Sequence, residues 1–328
     1  MKLPKYCRVT NIMHPSVEKK INEGVRPLTK RSGCMKWLDI FKGDIDYFTN
    51  FQNNDLEKYD VIHINLCGGD VGLIKTVRDA LPNSSSVKIV ANIDYGVEDI
   101  QRTFGDPSIY KYALRGADYY FATEPFQAAL CSRIINDKPV KIIPHPIDVK
   151  FIKKRQKEQN NKKALMISAI YHSYDDQIDM PYWTISDLGL GIGAINLAED
   201  GRPRRGGLSK YLFNYTKNAD CNWEDWLDIL DSNFLLFETY TQHSYGRATV
   251  EAAALGVPVV GSHLVASMRR CYPKTSCDPL WIPRCRELII KLRDDEKFYK
   301  EVSDYAIETS EYYNLENSKK RFLELIEW

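Results

Sequence analysis

The chain has 328 residues, 45 Lys plus Arg against 44 Asp plus Glu, and 44% hydrophobic residues. At about 100–200 residues per domain the length suggests two domains, and 27% charged with 12% aromatic residues excludes a disordered chain. A net charge of +1 argues against a whole-chain polycation. No apolar run nears the ~18 residues of a bilayer span, and the N-terminus MKLPKYCRVTNIMHPS lacks a leader's apolar stretch. The expectation is a cytoplasmic protein, with a peripheral place at a membrane left open.

Residues 7–13 (CRVTNIM) are short and β-branched, as a strand requires. A loop rich in Lys, Arg, Gly and Pro follows over 14–32, then apolar residues at helical spacing over 33–41. Strands are predicted at 61–66 (VIHINL), 87–93 (VKIVANI), 119–122 and 140–143, and helices at 71–80, 109–116 and 125–135. Mostly apolar strands alternating with helices mean a parallel sheet covered on both faces. The run 149–163, VKFIKKRQKEQNNKK, breaks the pattern and reads as a solvated linker or helix end. It divides the chain into domains 1–150 and 151–328. The alternation then restarts, with strands at 164–170, 192–197, 234–237 and 257–261. Helices are expected at 223–230, 248–255, 284–292, 297–311 and 315–328. The fold class expected is α/β, two Rossmann-like doubly wound domains facing a cleft.

Eight scattered cysteines with no CxxC pair read as reduced, mostly buried thiols. His263, Cys271, Cys277 and Cys285 have zinc-compatible types at wide, irregular spacings, so core residues plus a loop thiol is the simpler reading.

In doubly wound sheets, ligands bind beyond the carboxyl ends of the strands, where helix N-termini point amides at anions. The segment 243–262, HSYGRATVEAAALGVPVVGS, fits that chemistry. Gly246 allows a close backbone approach at a loop-to-helix turn, and the amides of Gly246, Arg247 and Ala248 suit a diphosphate. Arg247 adds a bidentate contact, and Glu251 lies four residues on, on about the same face. A carboxylate there can accept two hydrogen bonds from a ribose diol. An ordinary Ala-rich helix stopped by Gly256 would carry the same letters.

This segment resembles the C-terminal signature of the GT-B-fold glycosyltransferases, in particular the retaining family 4 (glycosyl transferases group 1). Their pattern has two glutamates eight positions apart, a Gly-aromatic-Gly-type loop, then E-A-x-A-x-G-x-P-V. Residues 251–259, EAAALGVPV, match the second half. Residues 223–237 and 288–326 are similar to the family's flanking elements, 142–151 (IIPHPIDVKF) to its interdomain I-P-N-G-V-D-x-x-x-F, and 59–64 (YDVIHI) to a first-domain strand. The departures are specific. His243 stands where the family has its first glutamate, which contacts the donor sugar. The Arg and Lys that neutralise the diphosphate in the family are absent from the stretch after Ser168, where Asp175 and Asp176 occur instead. Arg202, Arg204, Arg205 and Lys210 come later and are either substitutes or a solvated loop.

In the first domain, Ser32-Gly33 resembles the family's glycine-containing donor loop and equally suits a plain helix start with Ser32 as N-cap. Asp94 ends a strand where relatives carry a His or Asp facing sugar and acceptor, so it could orient the acceptor hydroxyl or take its proton. His63, mid-strand, reads as a core histidine, and His145 and His172 as structural or loop residues. The one Asp-x-Asp, Asp44-Ile45-Asp46, follows a helix and not a strand end, a poor place for a metal-bridged diphosphate.

The resemblance implies a hexosyltransferase that moves a sugar from a UDP- or GDP-linked donor to an acceptor hydroxyl on a glycan, a lipid-linked molecule or a nucleic acid, retaining and metal-independent, with no cofactor beyond the nucleotide sugar. Asp94 and His243 would be catalytic, and Ser32, Gly33, Gly246, Arg247, Ala248 and Glu251 would bind the donor. The basic residues Lys19, Lys20, Arg26, Lys30, Arg31 and Lys36 of loop 14–36 could face an anionic acceptor, whether phospholipid, polyprenyl phosphate or DNA, or be solvated surface. Two other readings stay open: a nucleotide-sugar 2-epimerase, and a non-catalytic paralogue that binds the nucleotide sugar.

Overall fold

The structure is a computed structural model that describes residues 3–10, 36–47, 56–66, 72–93, 106–136, 138–156, 164–167, 184–185, 187–188, 190–194, 214–215 and 223–328. The chain divides into two compact units, Met1–Ile147 with Leu315–Trp328, and Asp148–Asn314.

In chain order the first unit holds β1 (Tyr6–Thr10), α1 (Lys36–Phe41), β2 (Asp44–Tyr47), β3 (Val61–Leu66), α2 (Leu73–Ala80) and β4 (Lys88–Ile93). Then come α3 (Pro107–Ala113), β5 (Tyr119–Ala122), α4 (Pro125–Ile134) and β6 (Lys141–Ile142). All six strands are parallel, in the order β2-β1-β3-β4-β5-β6. All of β3 is buried, because helices cover both faces of a central parallel strand. One face carries Ile62, Ile64, Ile89 and Ala91 against Leu73, Val77 and Tyr110. The other packs Tyr6, Val61, Val90 and Phe121 on Trp37 and Phe41 of α1. Asp106 and Glu124 cap α3 and α4, each with proline in the first turn.

The second face of this sheet is closed by the C-terminal helix, Leu315–Leu325. Its Phe322 ring lies 5.0 Å from that of Phe41 and 5.1 Å from that of Trp37. Lys88 Nζ donates to the Ile326 carbonyl at 2.6 Å. The division therefore differs from 1–150 and 151–328: the chain returns to the first unit for its last helix, because that helix supplies the apolar side chains that cover Tyr6 and Trp37.

The strand Asp44–Tyr47 was absent from the sequence-based expectation, which placed Asp44-Ile45-Asp46 after a helix. It is the sheet edge, paired to β1 alone, and Asp44 Oδ2 accepts from the Tyr59 hydroxyl at 3.0 Å.

The second unit begins with α5 (Val149–Lys153), capped by Asp148, in the run that the sequence reads as linker or helix end. It continues with β7 (Ala164–Ile167), β8 (Gly191–Ala194), β9 (Asn214–Tyr215), α6 (Trp223–Asp231), β10 (Leu235–Glu238), α7 (Arg247–Leu255) and β11 (Val259–Ser262). It ends with α8 (Ala266–Cys271), β12 (Ser276–Cys277), α9 (Ile282–Asp294) and α10 (Glu296–Ser310). This sheet is also six-stranded and parallel, in the order β12-β11-β10-β7-β8-β9. Read from its other edge, that is the doubly wound order 3-2-1-4-5-6 with its reversal between β7 and β10. Both units thus have the α/β class expected. Among the described residues no helix is long and apolar enough to cross a membrane.

Candidate functional site

Glu238 ends β10 beside β7, at the reversal point of the second sheet, and the chain then runs through 239–246 into α7. The carboxyl end of a sheet at such a point is where doubly wound folds take ligands. Gly246 is the N-cap, with φ 77° and no side-chain cap, so the first amides of α7 have no acceptor within the helix. Any Cβ there would collide with Val265 and Ser267. The loop is held from behind: Ala266 N donates to Ser244 O at 2.8 Å, Ser267 N to Tyr245 O at 3.2 Å, and Ser267 Oγ to Gly246 O at 2.8 Å. Gly256, with φ 73°, stops the helix in a left-handed cap.

Arg247 Nε donates to Glu251 Oε1 at 2.8 Å, the one-turn pairing that the spacing predicts. Glu251 is buried, at 2% exposure. Two indoles complete its shell: Trp223 Nε1 donates to Oε1 and Trp226 Nε1 to Oε2, each at 2.7 Å. Trp223 stacks on Phe151, and Arg155 pairs with Glu224 and Asp228, so α6 is fastened to α5 and to the residues just after it. A carboxylate offers about four lone-pair directions. Oε1 has used both of its own and Oε2 has used one, so Oε2 keeps one lone-pair direction. Two hydrogen bonds from a diol would require Trp226 to leave.

Glu238 sits beneath the same turn, fully buried, accepting from Tyr240 N at 3.2 Å and Thr249 Oγ1 at 3.1 Å. Burial lifts its carboxyl to about 7, and its two neutral donors offset only part of that. Trp223, Trp226 and Glu238 were missed in the sequence. The two tryptophans are three residues apart on one amphipathic helix, and the glutamate is the acid that ends an apolar strand; both were visible signals.

Ala248 follows Arg247 in the first turn, partly exposed, and His243 lies three residues before Gly246, also partly exposed. Ser32, Gly33 and Asp94 lie outside the described residues, as do Arg31, His172, Asp175, Asp176, Arg202, Arg204, Arg205 and Lys210. Of the basic set in loop 14–36, Lys36 alone is described; it is buried in α1 and pairs with Asp39 at 3.1 Å. His63 is fully buried as expected of a core histidine, with Nδ1 against the Tyr6 hydroxyl, but its Nε2 has no partner. Among the described residues no three His, Cys, Asp or Glu side chains converge as a metal site would need, so His263, Cys271, Cys277 and Cys285 do not form one.

No family model matches the chain, and no curated protein matches it in sequence. Solved structures do match. An alpha-glucosyltransferase in complex with UDP and a 13-mer DNA containing an HMU base aligns over 100% of both chains at 13% identity and TM-score 0.63. Sucrose-phosphate synthase from Thermosynechococcus elongatus aligns over 82% of this chain and 73% of its own, at 14% identity and TM-score 0.64. TarM aligns over 82% of this chain and 55% of its own, at 13% identity and TM-score 0.59. The chain has the α/β fold of the GT-B glycosyltransferases, with two doubly wound parallel sheets.

Proposed function

We propose that the chain is a glycosyltransferase that moves a hexosyl group from a nucleotide-sugar donor to an acceptor hydroxyl, with retention at the anomeric carbon and without a metal. The observation that carries this reading is the uncapped N-terminus of α7 at the sheet's reversal point, with Arg247 beside it and Glu251 one turn inside. The first amides and the helix dipole would receive the diphosphate, and Arg247 would add its charge to the leaving group. Glu251 Oε2 would take one ribose hydroxyl. His243 would meet the transferred sugar, and Asp94 the acceptor hydroxyl.

UDP is the first nucleotide to test, because structural neighbours that span the whole chain hold it. A hydroxymethylated base in DNA is the first acceptor to test, for the same reason. UDP should bind in EDTA by calorimetry, and UDP-sugar should be turned over on one acceptor hydroxyl. His243→Ala should lower that turnover at least tenfold, about 1.4 kcal/mol of barrier, with UDP affinity little changed. Absence of binding by any nucleoside diphosphate would overturn the reading.

One observation favours a second reading, the non-catalytic binder: His243 stands where the resembled pattern has its first glutamate, beside the sugar to be transferred. Nucleotide binding without hydrolysis or transfer of any UDP- or GDP-sugar would select it, and conversion of the sugar to its epimer without acceptor would select an epimerase instead.

A further inference from the structure

Two thiols of the second unit meet beside the end of β11. Cys277 lies in the edge strand β12 and is half-buried, whereas Cys285 lies in the first turns of α9 and is fully buried. Their sulfurs are 3.5 Å apart. A disulfide needs about 2.05 Å, so closure takes roughly 1.5 Å of side-chain movement. The Cys285 thiol also has the carbonyls of Asp278 at 3.4 Å and Pro279 at 3.8 Å. The Cys277 side is anchored, since its carbonyl accepts from His263 N at 2.9 Å and it pairs with Ser262 of β11.

We infer that Cys277 and Cys285 form a redox-active dithiol, Cys277 attacking and Cys285 resolving, with a small-molecule disulfide of the glutathione class as oxidant. In the first step the Cys277 thiolate attacks one sulfur of the disulfide RSSR, forming a mixed disulfide and expelling RS⁻, which takes up a proton. The Cys285 thiol then gives its proton to solvent, and its sulfur attacks Cys277 Sγ. The internal disulfide forms and the second RS⁻ leaves. One RSSR is reduced to two RSH, two protein thiols are oxidised, and excess thiol reverses both steps.

The local chemistry divides the roles in the same way. The hydrogen bond from Cys285, with the Arg284 charge nearby, draws the Cys277 thiol below its ordinary range, as an attacking thiol requires. The same contact, with burial, pushes Cys285 up. At two other buried thiols burial outweighs the hydrogen bond from a neighbouring hydroxyl: Cys131, beside Tyr110, is pushed up to about 12, and Cys271, beside Thr309, to about 11.

The test uses the native chain incubated with oxidised glutathione, then alkylated and peptide-mapped by mass spectrometry. The expected product is one disulfide joining the Cys277 and Cys285 peptides, reversed by dithiothreitol. Cys285→Ser should trap a glutathione adduct on Cys277. Cys277→Ser should slow modification at Cys285 at least tenfold. Peptide mapping keeps the other six cysteines separate. Failure to modify either residue in the native chain, with both reacting once unfolded in guanidinium, would overturn the proposal. So would Cys285→Ser that is folded by circular dichroism yet carries no adduct at Cys277, or equal modification of Cys285 with and without Cys277.

Discussion

His63 in the first unit and Glu251 in the second are both enclosed, titratable and set against tryptophan. Around His63 the rings of Tyr6, Trp37, Phe121 and Phe322 close in at centroid distances of 5.4–6.2 Å. Trp37 meets it edge-on, and neither the Trp37 Nε1 nor the His63 Nε2 finds a partner. Around Glu251 the indoles of Trp223 and Trp226 turn their N–H groups onto the carboxylate, and Arg247 joins them. One surrounding expels charge and holds the imidazole well below its ordinary range, chiefly by desolvation. The other gathers charge-assisted hydrogen bonds on a single acceptor. Burial alone does not mark a site. The direction in which the neighbouring donors point does.

The largest effect should come from removing the acceptor in the second case. Glu251→Ala leaves two indole N–H groups and a guanidinium without their partner inside the unit. The expected cost is about 3–5 kcal/mol in denaturant unfolding, the scale for breaking a buried charge pair from one side. A cost near that of a surface substitution would show that the three donors find water as readily as the carboxylate.

A smaller effect separates the two units by pH. Glu238 in the folded chain takes up its proton near pH 7, against 4.5 when unfolded. The folded state binds more protons between those values, so this contribution is full below pH 4.5 and is lost as pH rises through 7. It amounts to about 3 kcal/mol, since one pKa unit is about 1.4 kcal/mol. Glu238→Gln should remove that slope. His63 has the opposite sign: its imidazole stays neutral when folded, so the unfolded chain binds the proton first and stability falls as pH drops below 6.5. Unfolding titrations of Glu238→Gln from pH 5 to 8 that keep the wild-type slope would remove Glu238 as its source.

The smallest effect tests the expulsion of charge around His63. Replacing His63 by Leu together with Tyr6 by Phe removes both members of a buried pair and one orphaned nitrogen. The double variant should stay within about 1 kcal/mol of wild type near pH 7.5, as apolar replacement of both partners allows. It should also lose the acid-side decline. A large loss at pH 7.5 would mean that the hydrogen bond, and not the rings, holds that face together.

Much of this was legible in the letters. The strands at 61–66 and 119–122 stand where apolar runs place them. Gly246 and Gly256 punctuate α7 as glycines do, each with positive φ. The Arg247–Glu251 pair follows from spacing on one helix. What was not legible depends on distant chain. The Asp44–Tyr47 strand alternates polar and apolar residues over only four positions, too short a run to stand out without β1 beside it. The Glu251 shell draws on tryptophans more than 20 residues upstream, on another helix. The amphipathic stripe of the last helix says that it is covered, not by which unit.

That last helix carries a consequence for the order of synthesis. Phe322 and Ile326 complete the core around Tyr6, Trp37 and Phe41, yet they are made after every residue of the second unit. A chain emerging in sequence order has its second unit's contacts available by residue 314, while one face of the first sheet still waits uncovered. The unit that begins first is therefore the one that finishes last, and its exposed aromatic face in the interval is where a chaperone would act.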